Sequence, residues 1–246
     1  MRFNRTKIRF AFFLGCFFLF LSSIATAQNV KNYIPEKAYL YLATLDSERN
    51  RLFPNGPETS YYASLIEHES CISLTHKRCW DPSSKLATKR ETGAGLVQIT
   101  KAYKADGSIR FDKLTEMANN YQEELRELSW DNVYSRPDLQ LRVGILLTKE
   151  NWDRLFMVKN LEGRLGMTDS AYNGGYSDVN KARIACGLKD NCDPQLWFDN
   201  VELVLPKSTK PLYGTRSAKD INQQHVHDVL KIRLPKYQKY FQSQGG

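Results

Sequence analysis

The sequence predicts a mainly helical fold with at most a small β-hairpin region around 78–99. Apolar residues recur at three- and four-residue spacing along most of the chain, the signature of helices with one buried face. Strand-like alternation is scarce and short. No internal repeat and no low-complexity tract interrupts the pattern.

Taken in order, residues 1–27 read as a secretory signal peptide. Arg2, Arg5, Lys7 and Arg9 form a positive head, Ala11 to Ile24 an apolar core, and Ala25-Thr26-Ala27 a small-residue cleavage site. The apolar run is shorter than the roughly 20 residues of a spanning helix, so no membrane span is expected after its removal. Residues 28–57 read as an N-terminal helical extension, with a helix over 36–49 carried by Tyr39, Leu42 and Leu45 and a turn at Pro54-Asn55-Gly56-Pro57. The main domain is expected over 58–242. It opens with a helix over 58–71 whose first turn holds Glu58, an acid that suits the helix dipole. A polar irregular stretch follows to 92, with Asp81-Pro82-Ser83-Ser84 as a breaker. Ala105-Asp106-Gly107-Ser108 reads as a turn. Core helices are expected over 112–128 and from Pro137 to about 156. Another runs from about 160 to the glycines at 174 and 175. Ser177-Asp178 is expected to cap a short helix ending at Gly187, and 193–198 a helical turn. An extended loop over 201–214 leads to two closing helical pieces, 220–240, broken at Pro235.

The formal charge of +8 loses the four cations of the signal and falls to +4, because residues 1–27 hold no acid. That mild surplus fits an anionic polymer or an ordinary surface equally well, and gives no reason to expect nucleic acid as a partner. Cys16 leaves with the signal. Cys71, Cys79, Cys186 and Cys192 remain, an even number that reads as disulfides in an exported chain, with three connectivities open. Proximity favours Cys71 with Cys79 and Cys186 with Cys192. Such short loops stabilise by about 3 kcal/mol or less and serve chiefly to fix local shape. Neither pair has zinc-knuckle spacing, so no metal is expected.

The chemistry concentrates in three places. Tyr62, Leu65, Ile66 and Glu69 share one helical stripe, which sets a carboxyl beside three large apolar side chains while Glu67 points elsewhere. No basic residue stands at i±3 or i±4 of Glu69. That environment desolvates a carboxylate and favours the proton-holding form that glycosidic cleavage uses. Gly93-Ala94-Gly95-Leu96-Val97-Gln98 follows, with Gln98 a lone amide among hydrophobes. It lacks both the dinucleotide spacing and the Lys-Ser/Thr ending of a phosphate loop. Ala171-Tyr172-Asn173-Gly174-Gly175 is the third. His68 and His76 read as surface residues, and His225 and His227 face different sides of a helix, which argues against a shared metal.

In this order, Glu69-Ser70, Gly93 to Gln98 and Ala171 to Gly175 resemble the signature of the lysozyme-like lytic transglycosylases with a soluble lytic transglycosylase domain, whose patterns are Glu-Ser, Gly-Leu-Met-Gln and Ala-Tyr-Asn-Ala-Gly. The resemblance covers about 61–240. Val97 replaces the usual Met, and His225 stands where the family commonly has Tyr. The resemblance implies an α+β lysozyme-like helical domain around a substrate cleft, acting on peptidoglycan glycan strands without cofactor. It implies Glu69 as the single catalytic acid and base, and Ser70, Gln98, Tyr172 and Asn173 as substrate-binding residues. A monomer in the periplasm, or secreted, is expected, in wall turnover or within an envelope machine such as a secretion or conjugation apparatus. Two alternatives stand beside it. A hydrolytic muramidase or chitinase would need a second carboxylate, for which Glu91, Asp106 and Asp112 are available. A wall-binding protein of the same fold would need none.

Overall fold

Apolar periodicity becomes helix along most of the chain. The computed structural model describes residues 30–244, so the expected signal peptide 1–27 and its cleavage site lie outside the described residues. Residues up to Tyr33 belong to a separate unit, and Ile34–Gly246 form one unit of their own. A 3-10 turn at Glu36–Leu40 and α1 (Leu42–Leu52) replace the single helix expected over 36–49. α2 (Thr59–Ser70) comes next, then four strands in an antiparallel sheet of order β1-β2-β3-β4: Lys85–Ala87, Glu91–Ala94, Ile99–Tyr103 and Ile109–Asp112.

The sheet is larger than the hairpin expected at 78–99. It runs on to Asp112 because the predicted turn at 105–108 closes a second hairpin, where Asp106 accepts from the Ser108 amide and hydroxyl. The helix expected over 112–128 is two, α3 (Lys113–Asn120) and α4 (Gln122–Leu125), parted at Tyr121 where the backbone leaves helical angles. α5 (Pro137–Arg154) begins with proline at its first position, where no amide hydrogen is needed. α6 (Leu161–Gly174) is capped by Asn160 and stopped by Gly175 at φ 91°. α7 (Tyr176–Gly187) starts directly after that glycine.

The helical turn expected at 193–198 is irregular chain, and the loop expected over 201–214 holds a 3-10 turn (Val201–Val204) and β5 (Pro211–Tyr213). β5 pairs with β6 (Arg216–Ser217). α8 (Ala218–His227) opens with a reciprocal cap between Ser217 and Asp220. Pro235 does not break the closing helix in two separate pieces. A π-helical segment (Asp228–Arg233) absorbs the lost hydrogen bond and passes the chain into α9 (Leu234–Gln244).

α2 is the buried axis of the fold. Its residues from Thr59 to Glu67 are all buried, packed by α1, α9 and the π segment. Leu42 and Leu45 of α1 belong to the same core, and Arg142 of α5 meets Glu48 at 2.9 Å. From Ile34 on, the expected helical extension packs into the same unit as the residues that follow it. Cys71 pairs with Cys79 and Cys186 with Cys192, as proximity suggests. Glu67 points away from the apolar stripe, as the spacing predicts, but into a second buried face. There Lys236 Nζ and the Tyr237 hydroxyl donate to its two oxygens at 2.7 and 2.6 Å. Burial lowers the Lys236 pKa against the opposing pull of Glu67, and burial with the Glu67 charge pushes Tyr237 well above the usual phenol. Removing one member strands a buried charge. Glu67→Gln should cost about 3–5 kcal/mol, read as a lower urea midpoint at unchanged slope.

Candidate functional site

The last turn of α2 delivers Glu69 to a cavity of about 460 Å³ that Gln98, Tyr172, Asn173 and Glu91 also line. Its side chain is 16% exposed, enough to meet a ligand, while residues 59–67 of its helix are buried. A second cavity of about 420 Å³ shares Glu91, Gln98, Thr100, Tyr172 and Asn173, so the two are adjacent parts of one cleft. Three of the residue groups singled out in the sequence thus converge from α2, the β2–β3 turn and the end of α6.

Gln98 ends the four-residue turn between β2 and β3. Gly95 at φ 75° and Gln98 at φ 44° both adopt left-handed backbone, which brings the strands together over a short connection. The Gln98 side-chain amide donates to the Gly95 carbonyl at 2.9 Å. A buried residue that the sequence does not reveal, Gln140 of α5, holds this turn. Its oxygen accepts from the Leu96 amide at 2.7 Å, and its nitrogen donates to the carbonyls of Pro82 and Val133. A Cβ at position 95 would strike Gln140 at 2.2 Å, so glycine there serves both conformation and close approach.

Tyr172 presses on the same turn, its hydroxyl donating to the Val97 carbonyl at 2.7 Å. Burial first, then the charges of Glu69 and Asp169, raise its pKa well above the usual phenol, so it remains a neutral donor beside Glu69. Asn173 is exposed at the cleft, and its side-chain oxygen accepts from Asn222 at 3.0 Å. Lys207 Nζ donates to the Gly174 carbonyl and closes the helix end behind it. Ser70 is part of the same cavity lining, next to Glu69. It is 2% exposed, and its hydroxyl accepts from the Trp80 amide while donating to the Ile66 carbonyl. Its work is to tie the Cys71–Cys79 loop to the helix end.

No base stands beside Glu69 along its own helix, but one reaches it from a remote part of the sequence. His225 Nε2 lies 2.8 Å from Glu69 Oε1, and its Nδ1 lies 2.8 Å from Asp169 Oδ2. Burial opposes the charged ring, but Asp169 and then Glu69 outweigh it and raise the pKa to about 10. Asp169 is itself fully buried and accepts a second bond from Tyr61. His68 is not a free surface residue either. It bonds Asp228 at 2.6 Å and packs edge-on against the His225 ring. Burial disfavours the Asp228 charge, yet His68 and Arg233 keep its pKa below the ordinary carboxylate value. Among the described residues no group of His, Cys, Asp and Glu is arranged to hold a metal ion.

No family model and no curated protein matches this chain.

His225 links stability to alkaline pH. Below the ordinary imidazole pKa of 6.5 the folded and unfolded chains both bind the proton, and the contribution is complete. Above it the unfolded chain releases the proton first, and the contribution drains away as pH rises toward about 10. The thermal midpoint should fall between pH 6 and pH 9, by differential scanning fluorimetry, and this slope should flatten in His225→Gln.

Proposed function

We propose that this protein is a peptidoglycan lytic transglycosylase with Glu69 as its acid and base. The observation that carries the reading is the meeting of Glu69, Gln98 and Tyr172 in one cleft, from three motifs that lie far apart in sequence but in the order of that family. Glu69 would give a proton to the oxygen bridging N-acetylmuramic acid and N-acetylglucosamine as the anomeric C–O bond breaks. As a carboxylate it would take the proton of the muramoyl 6-hydroxyl, whose oxygen closes on the anomeric carbon and leaves a 1,6-anhydro end. The attacking group is already part of the substrate, so proximity replaces a second carboxylate and no water is consumed. Gln98 would hold an acetamido or hydroxyl group, with Asn173 at the rim. Tyr172, its own proton committed to Val97, would offer its ring and the low polarity behind Glu69.

Two disulfides, and the absence among the described residues of any helix long and apolar enough to cross a membrane, fit a chain working in the periplasm or outside the cell. The expected signal peptide gives the route. Wall turnover and service to an envelope machine both follow from the same chemistry.

Of the three carboxylates named for the hydrolytic alternative, Glu91 is the one that lines the cleft. Asp106 is bound up in its turn with Ser108, and Asp112 is paired with Lys101 and the Trp130 indole, its charge favoured by Lys101 despite partial burial. Glu91 lines the cleft and could activate water there. Two measurements separate the readings. With purified sacculi, Glu69→Gln should lower release of soluble fragments by about 10²–10⁴-fold while still pelleting with the wall; retained release ends the assignment. Mass spectrometry of the wild-type products should find anhydro ends. Glu91→Gln should keep turnover within about threefold, whereas a loss comparable to that of Glu69→Gln, with products one water heavier, would establish hydrolysis.

A further inference from the structure

Glu69 is reached by one ionisable side chain that the reaction above does not use. His225 sits in α8, is 3% exposed, and bridges two carboxylates with its two ring nitrogens. One carboxylate, Asp169 of α6, is sealed in the core, and the other, Glu69 of α2, opens on the cleft. Only the doubly protonated ring donates to both at once. We propose that His225 is a positioning residue for Glu69: its imidazolium, anchored from behind by Asp169, fixes the Glu69 carboxyl toward the cleft and supplies the counter-charge for the carboxylate left after proton donation.

This rests on the transglycosylase reading and adds a regulation by charge to it. In the first half of the reaction the proton leaves Glu69 for the bridging oxygen, and a negative charge appears 2.8 Å from a fixed cation. In the second half the proton of the 6-hydroxyl returns to Glu69. His225 keeps both of its protons throughout. The groups around the ring are consistent with this role. Glu69 and His68 face it from α2, Asp169 from α6, and Asp228 from the π segment, with Tyr61 bonded to Asp169 and Arg233 to Asp228. The imidazolium is surrounded by acids; Asp169 has a second partner in Tyr61, and Asp228 has His68 and Arg233. Among the described residues His225 is the cation paired with Glu69.

Asp169 provides the lever, because it touches His225 without touching the cleft. Asp169→Asn keeps the size of the side chain and removes the charge that holds the ring protonated, so the ring should titrate at about pH 6 to 8 instead of near 10. Nitrogen NMR of the labelled protein should find both His225 ring nitrogens protonated from pH 6 to pH 9 in the wild type, and a titration near neutrality in Asp169→Asn. If Asp169→Asn does not fold, Glu69→Gln removes the other flanking charge and should also lower the titration midpoint. Fragment release from sacculi gives the catalytic arm. The loss of kcat in Asp169→Asn should grow from about threefold at pH 5.5 to about thirtyfold at pH 8.5 with little change in KM. His225→Gln should show the larger loss at both pH values.

A neutral His225 ring at pH 7 in the folded wild type overturns the proposal. So does a kcat loss in Asp169→Asn that is flat with pH while the wild type releases anhydro fragments, since a merely structural role predicts that flatness. A wild type that releases nothing, with the ring charged, overturns the transglycosylase reading instead and takes the catalytic half of this one with it.

Discussion

The last turn of helix α2 carries three consecutive ionisable residues, Glu67, His68 and Glu69, and the closing segment of the chain meets every one of them. Glu67 takes Lys236 and Tyr237, His68 takes Asp228, and Glu69 takes His225. Successive side chains on a helix point about 100° apart, so one straight neighbour cannot reach three of them. α8, the π segment and α9 do so by wrapping across the helix end, and the π segment carries Asp228 at the bend. Burying ions costs more solvation than pairing returns in many proteins, so this arrangement is poor evidence for stability. What it gives is a single orientation for the α2 terminus, and with it a single orientation for Glu69.

The cleft wall opposite is fixed by hydrogen bonds to backbone. Gln140 takes the Leu96 amide of the β2–β3 turn and ties it to the carbonyls of Pro82 and Val133, and Tyr172 takes the Val97 carbonyl of the same turn. An unmet buried backbone group costs about 1–3 kcal/mol, so each of these contacts is strongly selected for geometry. Gln98 is thereby presented by a turn that cannot relax away from α6. Both walls depend on side chains distant in sequence, and neither would survive in a peptide.

Local pattern made the helices legible, because burial of one face leaves a period in the sequence whatever the partner is. It also exposed Glu69, Gln98, Tyr172 and Asn173, whose neighbours are distinctive. It failed for the sheet beyond Ile99, where Ile109 to Asp112 form an exposed edge strand with no alternation of burial to read. It failed at Pro235, since a π segment spares the helix without leaving a sequence mark. His225, Asp169 and Gln140 were silent for one shared reason. Each is a polar residue on a helix whose meaning lies in a partner 44 to 156 positions away. Ser70 shows the converse, where adjacency to the acid suggests a substrate role while the hydroxyl is engaged by backbone at the helix end.

The charges along the cleft bear on what polymer it suits. Arg78 and Lys85 line the part that holds Glu69, and Arg110, Lys113 and Arg154 line the adjoining part, against Glu91, Glu116 and Glu150. Lys113 is neutralised by Glu116, while Arg110 and Arg154 lie over the rings of Phe111 and Tyr176, which hold a guanidinium flat without cancelling its charge. Cations spread to both sides of the acid favour a strand that carries carboxylates at intervals over a neutral one. A muramoyl glycan has such carboxylates on its lactyl ethers and peptides, and chitin has none. On the reading proposed above, the same field would hold such a strand across the cleft on both sides of Glu69.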